Sequence, residues 1–155
     1  MNPSIQEGIF PVYPEDHPNL LRIWEASVRA THYFITESDI QVFKPLILDQ
    51  AFHAVNLFCM RDSTNTIVGF LGVHDSKIEM LFIDPLWRGR SVGRQLLTYA
   101  VETLGATELD VNEQNEQALG FYQKFGFTIT GRSALDSLGK PYPLLHMRYS
   151  YAPPL

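Results

Sequence analysis

The chain has 155 residues, a formal net charge of −5 at pH 7, 45% hydrophobic residues and 19% charged ones. This is the composition of one globular domain spanning 1–155, and its acidity argues against a general nucleic-acid binder, since the only dense basic run lies between Arg88 and Arg94. Nothing approaches the roughly 20 apolar residues of a membrane span. The sole cysteine, Cys59, permits no disulfide within the chain and fits a reducing compartment. The opening stretch MNPSIQEGIF has neither the basic nor the apolar region of a signal peptide, so a cytoplasmic protein is expected.

In chain order, Ile5 to Val12 is predicted as a first strand, weakened by Pro11. Asp16 can cap a helix with Pro18 in its first turn, whose apolar face is Leu20, Leu21, Trp24 and Val28 and whose end falls near Ala30. The aromatic segment Thr31-His32-Tyr33-Phe34-Ile35 follows. Thr36 or Ser38 then caps a second helix, with Ile40, Phe43, Leu46 and Ile47 inward and Pro45 bending or shortening it. From Val55 the period changes to that of strands: Val55–Met60, Ile67–His74 and Lys77–Ile83, joined by short polar turns. A helix is predicted over 92–104 with Gly105 just past its end. Glu108–Val111 is a short strand, Glu116–Lys124 a short helix stopping at Gly126, and Phe127–Arg132 and Leu144–Tyr149 are closing strands. The expected architecture is α/β (α+β), a mixed and mostly antiparallel sheet with helices on both faces.

The stretch KIEMLFIDPLWRGRSVGRQLLTYAVETL joins an apolar strand, a glycine-bearing loop and an amphipathic helix. The first N–H groups of a helix lack intrahelical partners and carry partial positive charge, so this junction suits an anion. Arg88, Arg90 and Arg94 crowd an end where cations are disfavoured, each by a few tenths to about 1 kcal/mol. A bound polyanion would offset that cost; an empty basic turn is the alternative. No Gly-Lys-Ser/Thr follows and no G-x-G-x-x-G is present, which excludes a Walker loop and a dinucleotide fingerprint.

Arg88-Gly89-Arg90-Ser91-Val92-Gly93 resembles the acyl-CoA pyrophosphate loop of the GCN5-related N-acetyltransferases (GNAT), Gln/Arg-x-x-Gly-x-Gly/Ala, with Ser91 in the first glycine position. Asn115 to Phe127 matches the Asn-x-x-Ala-x-x-Phe/Leu-Tyr-x-x-x-Gly-Phe motif of the same family, in the family's order. The runs VNEQNEQALGFYQKFGF, TGRSALDSLGKPYPLL and ATHYF resemble its YjaB-like branch. The resemblance implies the GNAT fold, with about six to seven strands and about four flanking helices. It also implies acetyl transfer from acetyl-CoA, as co-substrate, to a primary amine of a small molecule or a protein.

The residues can carry that chemistry. An ammonium of pKa near 10.4 must lose a proton before it attacks, the oxyanion needs a donor, and the leaving thiolate needs an acid. The resemblance implies that Leu81, Phe82 and Ile83 supply the strand backbone beside the thioester and that Arg88, Gly89, Arg90, Ser91, Val92, Gly93 and Arg94 hold the pyrophosphate. It places Asn115 on the pantetheine arm or a nearby water and makes Tyr122 the general acid. Asn115 is equally suited to cap the helix that follows it, Lys124 either touches phosphate or is simply solvated, and Tyr122 by itself would read as a packing aromatic. Glu79 is the candidate base, directly or through water, on the same strand face as Lys77, Leu81 and Ile83 if the pleat is regular; a surface pair with Lys77 is the alternative. His32 competes as base or, with Tyr33, as an acceptor contact. Neither a metal-ligand spacing nor a Ser-His-Asp arrangement can be argued, so no metal is expected. A strained Ser91 favours a non-catalytic acyl-CoA-binding module instead; a left-handed serine costs about 1–2 kcal/mol, which vanishes if its φ is negative. Expected partners are the amine acceptor alone, with no nucleic acid or membrane, in a monomer or homodimer.

Overall fold

The computed structural model describes residues 3–150. The chain forms two compact units, Met1–Ala106 and Thr107–Leu155. Among the described residues there are seven strands and four α-helices, a mixed α/β fold whose strand pairings are mostly antiparallel.

In the first unit the elements are β1 (Phe10–Pro11), α1 (His17–Thr31), α2 (Glu37–Asp49), β2 (Asn56–Arg61), β3 (Ile67–His74), β4 (Lys77–Ile83) and α3 (Val92–Thr98). The four strands pair antiparallel in sequence order. β3 is buried at every position from Ile67 to Val73, as a strand covered on both faces must be. Phe10, Cys59, Phe70 and Phe82 are successive cross-strand partners and share one face. Phe70 there meets Phe52 at 5.8 Å, and Phe52 meets His17 at the start of α1 at 5.3 Å. On the other face Gly69 makes room for α3: a Cβ on it would come within 2.9 Å of both Val92 and Ile83.

Several sequence expectations shift for local reasons. The first strand is reduced to Phe10–Pro11, because Gly8 turns the chain at φ +102°, leaving Ile5 in an isolated bridge to Asp62. Pro11 is tolerated because β1 pairs with β2 alone. Asp16 precedes α1 without capping it; its carboxylate accepts from the Tyr13 N–H (2.9 Å) and from Arg61 (3.2 Å). Thr36, not Ser38, caps α2, accepting from Asp39 N–H at 3.1 Å, and α2 runs on through Pro45 to Asp49. The long third helix is α-helical only to Thr98; Tyr99–Thr103 is a π turn closed by Leu104 N–H to Tyr99 O at 3.1 Å.

The second unit holds β5 (Glu108–Asn112), α4 (Glu116–Phe125), β6 (Phe127–Ser133) and β7 (Leu144–Tyr149), with β7 between β5 and β6, antiparallel to both. Leu109, Val111, Leu145, Met147 and Phe127 form the buried face. α4 rests on it through Tyr122 and Phe125, whose rings lie 6.0 and 6.1 Å from that of Phe127. Gly126, at φ +130°, ends α4. The opposite face bears Glu108, Asp110, His146 and Arg148. No helix among the described residues is long and apolar enough to cross a membrane.

Candidate active site: an anion loop and a capped helix

In the first unit, Asp84 ends β4 and its carboxylate accepts from Leu86 N–H at 3.0 Å, closing a 3-10 turn over Pro85–Trp87. Trp87 is buried, and the Arg90 guanidinium stacks on its ring at 4.0 Å from the centroid. Gly89 and Ser91 both take left-handed backbone, at φ +73° and +62°. The condition for a cost-free Ser91 therefore fails: a non-glycine side chain is held where glycine is favoured. Its hydroxyl accepts from Gln95 Nε2 at 3.1 Å and does not cap α3.

The charges of this loop stand apart from the rest of the chain. Arg22, Arg29, Arg61, Arg132 and Arg148 each lie within 4 Å of a carboxylate. Among the described residues Arg88, Arg90 and Arg94, all exposed, have no such partner. Three exposed guanidiniums without carboxylate partners near the positive end of a helix, in an acidic protein, are most simply reconciled with a multiply charged anionic ligand.

β4 departs from a regular pleat where the base was sought. Gly72 pairs with Met80 and Val73 with Ile78, so Glu79 is the extra residue of a β-bulge. Leu81 and Ile83 therefore face α3, whereas Lys77 shares the face of Met80 and Phe82. Glu79 does not share one regular face with Lys77, Leu81 and Ile83 as alternation predicted. It is exposed and lies 4.0 Å from Lys77 Nζ. His32, at the end of α1, is buried, and its ring is held down to about 4, by burial first and by the positive charge of Arg88 second. Thr31 Oγ1 gives its proton to the Ser27 carbonyl (2.7 Å), so it accepts from His32 Nδ1–H (2.7 Å) and fixes that tautomer. His32 is thus a neutral group at pH 7. Tyr33 beside it is 86% exposed.

In the second unit, Asn115 caps α4, its Oδ1 accepting from Ala118 N–H at 3.3 Å. Tyr122 lies about two turns further along, with its ring buried. Burial pushes the Tyr122 phenol well above its ordinary value, which keeps it protonated at neutral pH. Lys124 is exposed in the last turn of α4, where a cation is favoured by the helix dipole.

His146 on β7 has two side-chain partners. Its Nδ1 lies 2.6 Å from Asp110 Oδ1 and its Nε2 2.7 Å from Ser133 Oγ. Sequence spacing could not argue a Ser-His-Asp arrangement; the fold brings these three side chains into one line of contacts. The Trp87 shelf under Arg90 was also missed; an aromatic directly before a run of arginines was its one sequence signal.

Residues 33–139 match the family described as acetyltransferase (GNAT) domain. The chain is 40% identical over 135 residues to the peptidyl-lysine N-acetyltransferase YjaB of Salmonella typhimurium, covering 87% of this chain and 92% of that protein. It is 42% identical over 135 residues to YjaB of Escherichia coli, covering 87% and 91%. The solution structure of apo YjaB from Escherichia coli superposes with a TM-score of 0.84 at 39% identity, covering 94% of this chain and 98% of that one. On this evidence the chain belongs to the GCN5-related N-acetyltransferase family and is an N-acetyltransferase.

Proposed function

We propose that the protein, acting as a single acetyltransferase domain over 1–155, moves an acetyl group from acetyl-CoA to the side-chain amine of a lysine in a protein. The family match runs through the boundary between the two compact units, which supports one domain. The relatives named as peptidyl-lysine N-acetyltransferases support the acceptor, and the net charge of −5 favours a cationic one. The observation that carries the cofactor is the trio Arg88, Arg90 and Arg94, the arginines among the described residues without a carboxylate partner.

Acetyl-CoA supplies the acyl group and a thiolate leaving group. Arg88 and Arg94 neutralise its pyrophosphate, with Arg90 stacked on Trp87 beside them. The backbone of Gly89 to Gly93 adds N–H donors, and that of Leu81 to Ile83 lines the thioester. Glu79, turned out by its bulge, takes the ammonium proton of the acceptor directly or through water. Tyr122, protonated because it is buried, gives its phenolic proton to the departing sulfur. Asn115 holds the pantetheine arm while capping α4, Lys124 adds a phosphate contact, and His32 and Tyr33 meet the acceptor. His32 is a weaker candidate for the base than Glu79, since its ring takes a second proton only below about pH 4.

Calorimetric titration of acetyl-CoA into the wild type, Arg88→Glu and Arg94→Glu tests the cofactor site. Binding is expected to weaken at least tenfold in each variant and to weaken with salt in the wild type. Unchanged affinity in both variants would place the cofactor elsewhere. A lysine-bearing peptide assayed by mass spectrometry for a gain of one acetyl group tests the acceptor.

A further inference from the structure

Acetyl transfer to an amine leaves unused a line of three side chains on the face of the second unit opposite α4. Asp110 on β5, His146 on β7 and Ser133 at the end of β6 are joined by contacts of 2.6 and 2.7 Å. An ionised carboxylate can only accept, so His146 Nδ1 carries a hydrogen. In the neutral ring Nε2 is then a lone pair, and the Ser133 hydroxyl donates to it. Nucleophile, base and orienting carboxylate stand in the order that activates a serine.

The fold builds this line deliberately. Asp110 and His146 are direct cross-strand partners. Ser133 would lie on the α4 face if β6 alternated strictly from Phe127. Thr130 is an extra residue between the pairs Ile129–Met147 and Gly131–His146, and this bulge transfers Gly131 and Ser133 to the face of His146. Gly131 leaves room for the ring: a Cβ there would come within 3.3 Å of His146 Cδ2. The site is open to reagents, with the His146 side chain 38% exposed. The segment that follows Ser133 in the chain exposes two leucines, Leu135 and Leu138.

We propose that Asp110, His146 and Ser133 form a second acyl-transfer centre, in which Ser133 attacks activated esters or thioesters of small apolar acyl groups. Ser133 Oγ bonds to the carbonyl carbon as its proton passes to His146 Nε2. The bond from that carbon to the alkoxide or thiolate breaks, and the leaving group takes the proton from His146. Water then attacks the acyl-serine, His146 takes the water's proton and returns it to Oγ, and the carboxylic acid is released. Asp110 acts through His146 as a positioning residue, holding the tautomer.

The full chain is incubated with a fluorophosphonate and, separately, with p-nitrophenyl acetate. Peptide mass spectrometry is expected to find one phosphonyl adduct, on Ser133, and the acetate ester to be hydrolysed with saturation. Ser133→Ala should abolish both while acetylation of a lysine peptide from acetyl-CoA stays within about twofold. Asp110→Asn should slow labelling of Ser133 by roughly 10² or more at an unchanged melting temperature, a rate that a purely structural carboxylate would not alter. An unmodified Ser133 at millimolar reagent, an adduct elsewhere, or equal ester hydrolysis by wild type and Ser133→Ala overturns the proposal. Labelling uses the unaltered protein, so that readout stands even where a variant fails to fold.

Discussion

Tyr122 is asked to be both a core ring and an acid, and the two demands pull in different directions. Its ring packs 5.4 Å from Phe121 and 6.0 Å from Phe127. Yet its hydroxyl makes no hydrogen bond among the described residues, while only 9% of the residue is exposed. Burial keeps the phenol protonated but makes the proton harder to release; a thiolate and cofactor charge must lower that barrier. Tyr122→Phe retains the ring, so melting temperature and acetyl-CoA affinity should hold while turnover falls by roughly 10² to 10⁴. A rate within threefold of wild type would make Tyr122 a packing residue and leave water to protonate the sulfur. Ser91 gives a second test at this scale. Its φ of +62° stores about 1 kcal/mol that glycine does not. Ser91→Gly should raise the melting temperature, or leave it level where chain entropy offsets the strain, and preserve acetyl-CoA affinity. A loss above about tenfold, roughly 1.4 kcal/mol, would instead assign the hydroxyl to a phosphate.

At the level of elements, α4 carries a cost in its middle. Gly120 lies inside the helix and a Cβ on it would meet nothing within 4 Å. Glycine in a helix interior costs about 0.5–1 kcal/mol relative to alanine, so Gly120→Ala should stabilise the apo protein by that amount in chemical denaturation. If acetyl-CoA affinity falls in the same variant, the bare backbone is needed by the ligand; if affinity holds, Gly120 is a tolerated defect. The helices and strands were largely legible because their signals are local: apolar spacing on α1 and α3, the Asn115 cap, and the glycines at 105 and 126. The anion loop was legible for the same reason, as its arginines, glycines and helix start are contiguous. Bulges are what alternation cannot show. One extra residue at Glu79 and one at Thr130 change which side chains share a face, so the setting of Glu79 was misread and Ser133, His146 and Asp110 looked unrelated. The left-handed turn at Ser91 was legible only as a question, raised by its place in a family glycine position, since serine does not announce positive φ as glycine does.

Taken as a whole, the molecule is acidic, with paired carboxylates across its surface, and one acid-sensitive group lies inside it, at His32. The ring takes a proton near pH 6.5 in the unfolded chain but only near 4 in the folded one, because burial and Arg88 both disfavour the cation. Between those values the unfolded state binds the extra proton, so stability rises with pH across the window and is lost as pH falls from about 6.5 to about 4. The full span corresponds to about 3 kcal/mol at one site, a large share of a domain's net stability. Other groups shape the acid limb differently. Glu37, pulled down to about 2 by its hydrogen bonds to Arg29 and Gln41, loses its contribution only below its unfolded value of about 4.5. The two processes can therefore be separated by pH. Urea denaturation of the wild type and of His32→Asn, whose amide can still donate to Thr31, is measured at pH 7.5, 6, 5 and 4. The wild type is expected to lose stability progressively below pH 6.5, whereas His32→Asn should lose clearly less down to about pH 5, its remaining loss there belonging to His17, whose ring burial and His53 also hold below its ordinary value. Equal losses in both proteins between pH 6.5 and 5 would assign the acid sensitivity to His17 or another group rather than to His32.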